Sequence, residues 1–337
     1  MDDDRQQHLF SERSADYDRR IDITDPHHPS AHPLLLLDEE IRAPGLSDYV
    51  VPLGLFLVTV FTTLWAGAFE TRANRAQGAW SFLVENPSSL ELGIPFAGTL
   101  LLILVTHEMG HYILSRIHGV PTTLPMFIPG PPHFIGTFGA IIRMRSPILN
   151  RKALFDIGVA GPLAGFVVAL MALLAGLSLS EIREQPLIDS GEPHLGPSLL
   201  ISYAAGLFFD VIPLGHVLDL HPIASAAWFG LFVTSINLVP IGQLDGGHVA
   251  YALWGRRQRT LAVAIVPILL VLGSSCWLGF ACWPGWILWV GMASLIGLGH
   301  PPVLDPEAVL GRTRVLIGWA TLIIFVLTFT PFPFFFL

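Results

Sequence analysis

The sequence predicts an all-α polytopic membrane protein with about six to seven transmembrane helices. Three observations carry that reading. Of 337 residues, 52% are hydrophobic and 13% charged, with a mean hydropathy of +0.61; soluble domains carry about 25% charged residues. Apolar runs at about 51–69, 95–116, 151–178, 223–253, 260–280, 284–299 and 314–333 follow one another, most of them long enough to cross a bilayer. The basic residues also sort by side. With the amino terminus in the cytoplasm, 15 of the 18 Lys and Arg lie on the inner side, leaving only Arg72, Arg75 and Arg183 outside, as the positive-inside rule requires.

Taken in order, residues 1–45 form a polar, cytoplasmic and largely disordered tail. It has no basic stretch leading into an apolar one, so no cleavable signal peptide is expected. His27, His28 and His32 belong to this solvated tail rather than to a metal site. Residues 46–90 hold the first span and an outer loop. The motif-bearing region is 91–255, and 256–337 supplies the carboxy-terminal helices. The run at about 198–213 contains Asp210 and Pro213 and reads as re-entrant or interfacial; as a span it would put the Arg256 cluster outside. The stretch from Gly119 to Met144 is rich in Pro, Gly, Thr and aromatics and reads as β, with His133 as a loop residue. The 179–197 loop is acidic and outer. Cys276 and Cys282 are the only cysteines; they either pair or serve as small hydrophobes. A net charge of −8 with no basic stripe gives no reason to expect nucleic acid.

The second run carries Thr106-His107-Glu108-Met109-Gly110-His111-Tyr112. Positions i and i+4 share a helix face, so His107 and His111 can present two imidazoles to one metal ion, with Glu108 beside them to handle a proton. Charged groups in such a helix are costly unless they have a task. A catalytic zinc site needs a third protein ligand and an open position. The fourth run offers it, reading Asn237-Leu238-Val239-Pro240-Ile241-Gly242-Gln243-Leu244-Asp245-Gly246-Gly247-His248. Asn, Pro and Asp within one span imply irregular backbone, tolerated at membrane depth only around a cavity or inside protein. Asp245 is the candidate third ligand, and His248 is a rival for that place. Arg116 lies nine residues past His107, and Arg256 lies 11 past Asp245. Both groups therefore sit roughly 14–16 Å from a cytoplasmic anchor, in one layer.

Together these stretches resemble the site-2 protease family of intramembrane zinc metalloproteases (peptidase M50-like). The matching elements are H-E-x-x-H at 107–111, N-x-x-P-x-x-x-x-D-G at 237–246 and, more weakly, Gly161-Pro162-Leu163-Ala164-Gly165. Leu104 departs from the Phe that many members carry there. The resemblance covers about residues 95–255 and implies a three-helix catalytic core with a membrane-associated β-hairpin. It implies one Zn2+ per chain held by His107, His111 and Asp245, with His248 only a neighbour. Glu108 would be the general base and acid, and Asn237 would help hold the substrate carbonyl. The substrate would be a transmembrane protein or peptide cut within or near its span, in the lipid bilayer. The hairpin's strand edge would pair with it. A catalytically silent binding protein or a transporter is the alternative; the intact Glu108 within the motif argues against both.

Overall fold

Among the described residues the chain is mostly helical, and several helix starts are set by identifiable residues. The computed structural model describes residues 45–70, 85, 87–148, 150–184, 194–278, 282–303, 305–306 and 308–335. The tail with His27, His28 and His32 lies outside them, as does 185–193 of the outer loop. Helix α1 is Ser47–Glu70, and a 3-10 turn at Pro87–Gly93 leads into α2, Ile94–Ile117, which has Pro95 in its first turn. Proline suits that position because its missing N–H has no intrahelical partner there. Helix α3, Arg151–Ser178, starts where the Asn150 side chain accepts from the Ala153 amide at 2.9 Å. Helices α5 (Pro222–Asn237), α6 (Asp245–Trp254), α7 (Arg257–Ser274), α8 (Gly285–Ile296) and α9 (Arg312–Thr328) follow, with a short α4, Leu199–Gly206, before them. Among the described residues, four segments are long and apolar enough to cross a membrane: Ser47–Glu70, Pro87–Ile117, Arg151–Ser178 and Arg257–Trp277.

The expected run at 223–253 is two helices, α5 and α6, separated by a turn at 238–244. Pro240 lacks the N–H that a continuing helix needs. Gly242 sits at φ +55°, the left-handed region that glycine tolerates. The turn's carbonyls then press against α6. A Cβ at Gly246 would lie 1.9 Å from the Leu238 oxygen, and one at Gly247 would lie 2.3 Å from the Gly242 oxygen. Only glycines fit there, which is why Asp245 is followed by a pair of them.

Strands β1 (Met126–Pro129) and β2 (Thr137–Ile141) form an antiparallel hairpin between α2 and α3, and His133 lies exposed in its turn. Three features concern the loops and ends. The 179–197 region contributes strands rather than loop alone: β3 (Glu181–Glu184) pairs with β5 (His216–Asp219), and β4 (His194–Leu195) pairs with β6 (Phe334–Phe335). Of 198–213, only the eight residues of α4 are helical, about 12 Å of rise and too short to cross. Cys276 and Cys282 pair in a disulfide, resolving the choice their spacing left open.

Helix α3 is the centre of the packing, lying against α2, α5 and α6. Small residues allow close approach: a Cβ on Gly110 would come within 2.6 Å of the Ala160 oxygen, and one on Gly176 within 2.3 Å of the Ala224 amide nitrogen. At one end of the bundle, polar contacts gather the helix termini. Arg145 pairs with Asp48 of α1 at 2.6 Å, and Arg314 of α9 grips Asp156 of α3 through two 2.8 Å bonds. His118, just past α2, bonds the same carboxylate at 2.9 Å. Arg151 donates to the Ala252 and Leu253 carbonyls at the end of α6.

Candidate metal centre

Three donors converge from two helices. His107 and His111 occupy adjacent turns of α2, and Asp245 opens α6. The His107 and His111 Nε2 atoms are 3.2 Å apart, and Asp245 Oδ2 is 3.2 Å from the first and 3.3 Å from the second. In a zinc tetrahedron with bonds of about 2.0–2.1 Å, neighbouring ligand atoms stand about 3.3–3.4 Å apart. The triangle therefore matches one face of that tetrahedron, and two imidazoles with a carboxylate are a zinc donor set.

The surroundings favour that use. His111 Nδ1 donates to the Ile157 carbonyl at 2.7 Å, which leaves Nε2 bare and aims it inward. The weak glycine motif of α3 provides the room. A Cβ on Gly161 would fall 2.1 Å from His111 Nε2, and one on Gly165 would be 3.1 Å from His107 Cβ. Glu108 is only 6% exposed and lines the same cleft, a cavity of about 630 Å3. Asn237, the last residue of α5, brings its amide nitrogen to 3.4 Å from His107 Nε2. All five residues singled out from the sequence thus come together.

His248, the rival ligand, lies outside the donor triangle: its Nδ1 is 2.7 Å from Nε2 of His300. His300 is a site residue that sequence reasoning missed. It sits in the loop between α8 and α9, followed by Pro301 and Pro302, and lines the cleft. Gln258, 1% exposed, was missed too; it ties that loop to Pro240. A His-Pro-Pro step immediately after an apolar run was the available signal for His300; nothing in the sequence marks Gln258.

Comparisons with known proteins agree with this geometry. The sequence model of peptidase family M50 matches residues 95–278. The probable zinc metalloprotease EGY2, chloroplastic, of Arabidopsis thaliana is 34% identical over 176 residues, 52% of this chain and 31% of that protein. The protein of the same name from Oryza sativa subsp. indica is 34% identical over 218 residues, 63% of this chain and 38% of its own length. The probable zinc metalloprotease EGY1, chloroplastic, of Oryza sativa subsp. japonica is 31% identical over 240 residues, 66% of this chain and 41% of its own. The chain thus spans about a third to two fifths of the length of these relatives. No solved structure matches it. The family model takes in α2, the glycine-bearing α3 and the broken α5–α6 pair, the elements that bring the three donors together, and on that match the chain belongs to peptidase family M50.

Proposed function

We propose that this chain is an intramembrane zinc metalloendopeptidase that cuts a peptide bond within or near a transmembrane segment of its substrate. The observation that carries the reading is a zinc-shaped donor triangle beside a buried carboxylate inside an apolar bundle. His107, His111 and Asp245 would hold one zinc per chain. When bound, zinc would polarise the scissile carbonyl and make a water a nucleophile near neutral pH. Glu108 takes the proton of the attacking water and gives it to the leaving nitrogen. Asn237 donates from its amide to the carbonyl oxygen as charge develops there. The Ile157 carbonyl keeps His111 in the tautomer its task requires.

The orientation follows the same logic. The Arg145–Asp48, Arg314–Asp156 and Arg151–Leu253 contacts hold the start of α1, the starts of α3 and α9 and the end of α6 at one face, which carries most of the basic residues. That face is the cytoplasmic one. The disulfide, between α7 and α8, belongs to the opposite face, where an oxidising compartment keeps such bonds. This gives a multi-pass chain of seven crossings, α5 and α6 counting as one, with its amino terminus in the cytoplasm. Residues 46–90, 91–255 and 256–337 are the first span with its loop, the catalytic core and the carboxy-terminal helices. The β1–β2 hairpin would dip into the membrane, and its β2 edge would pair with the substrate.

A transmembrane peptide bond is protected because its carbonyl is already bonded and water is absent. Substrates with Gly, Pro, Asn or Ser in the span should be cut faster than an uninterrupted Leu helix. The deciding experiment measures cleavage of a single-span substrate in liposomes. Glu108→Gln should keep its zinc and lose turnover by at least a hundredfold, the scale of general acid–base catalysis. Wild-type rates in Glu108→Gln, or after chelation of the metal, would refute the reading.

A further inference from the structure

His300 lies beyond the segment matched by the family model, yet it lines the cleft of the donor triangle. The loop that carries it is fastened on both sides. Gln258 Nε2 donates to the carbonyls of Pro240 at 3.1 Å and Leu298 at 3.2 Å, and its Oε1 accepts from the His300 amide at 3.0 Å. The Gly242 amide donates to the Leu298 carbonyl at 3.0 Å, and the Arg151 amide donates to the Asp305 carbonyl at 3.2 Å. The His300 ring stacks on Tyr251 of α6 with centroids 4.6 Å apart. A loop distant in sequence is therefore registered against both the turn before Asp245 and the helix after it.

Hydrogen bonding then decides where the ring protons are. A carbonyl only accepts, so His300 Nδ1 carries the proton it shares with the Pro301 oxygen. Burial holds the His300 imidazole below its ordinary pKa, so the ring is neutral and its Nε2 is bare. His248 Nδ1, 2.7 Å away, must then be the donor. A neutral imidazole has one N–H, so His248, a residue lining the cleft, is left with a bare Nε2 that has no partner among the described residues. The neighbouring carboxylates have other tasks, Asp245 as a ligand and Glu108 as a base.

We propose that His248 Nε2, held in this tautomer by His300, accepts a hydrogen bond from a backbone N–H of the unwound substrate; this rests on the protease reading above. Drawing a peptide out of a helix leaves N–H groups that need acceptors, and His248 supplies one. His300 is then a positioning residue, contributed by the loop between α8 and α9.

The test measures the Kd of a synthetic transmembrane peptide for the full chain in detergent, in a Glu108→Gln background, with zinc content determined for every variant. His300→Phe keeps a ring but removes the acceptor, and should weaken binding about tenfold, the scale of one hydrogen bond. His300→Gln offers a carbonyl to His248 Nδ1 and should stay within about threefold of the parent. In a His248→Ala background, His300→Phe should cost nothing further, whereas a merely structural role would add its own loss. Zinc content should not change in any of these. An unchanged Kd in His300→Phe, equal losses in the Phe and Gln variants, additive losses with His248→Ala, or loss of zinc would each overturn the proposal. If this binding pattern holds but the wild-type chain does not cut the same peptide, the protease reading fails and the positioning role stands.

Discussion

Replacing Gly161 with Ala should empty the metal site without touching a ligand. The added Cβ would stand 2.1 Å from His111 Nε2, where ordinary van der Waals contact begins near 3.4 Å. The ring would have to retreat by about 1.3 Å, against the roughly 0.2 Å that metal–ligand distances tolerate. It has little freedom to do so, because Nδ1 is tied to the Ile157 carbonyl on the same helix that carries Gly161. Disturbing a group that merely orients a ligand typically costs 10–100-fold in metal affinity, or about 1.4–2.7 kcal/mol. Displacing the ligand itself should reach at least the upper end. Two controls grade the effect. At Gly165 the new carbon would be 3.1 Å from His107 Cβ, a shift of a few tenths of an ångström, so zinc should fall less. At Gly98 nothing lies within 4 Å, so zinc should stay at the parental level. The assay is zinc per chain by atomic spectroscopy after dialysis against graded chelator, with folding followed by circular dichroism. A folded Gly161→Ala protein that holds zinc as tightly as the parent would refute the steric argument.

Two further outcomes are expected. Asp245→Ala should lower zinc occupancy by at least tenfold while His248→Ala leaves it unchanged; the reverse pattern would exchange their roles. With both native cysteines joined to each other, single cysteines can be labelled on the otherwise native chain. In sealed vesicles oriented as in the cell, Glu184→Cys should react with an impermeant reagent from outside and Ser146→Cys only after the membrane is opened. The opposite order would invert the topology.

The legible and illegible parts of this chain divide along a physical line. Local constraint was legible: H-E-x-x-H follows from helical periodicity, and Asn237, Pro240 and Asp245 stood out because polar groups and a helix breaker in an apolar run demand a reason. The glycines at 161 and 165 could be found only through the resemblance, since what they clear is space for another helix's histidines. Contacts made by distant loops left no local mark. The β4–β6 pairing joins two-residue strands about 140 positions apart, and two residues carry no periodicity. Gln258 sits among arginines at 256–259 and reads as part of a charged turn, yet it is buried. Pairing of Cys276 with Cys282 depends on how α7 and α8 turn back on each other, which spacing alone does not fix.

The division of the donor triangle between α2 and α6 has a consequence for how the protein is made. His107 and His111 leave the ribosome together, and Asp245 emerges 134 residues after His111. At a synthesis rate of about 5–20 residues per second, the two imidazoles wait in the membrane on the order of ten seconds before the third ligand exists. Over that interval the growing chain holds two of the three donors. A nascent chain stalled before Asp245 emerges therefore lacks the complete donor set.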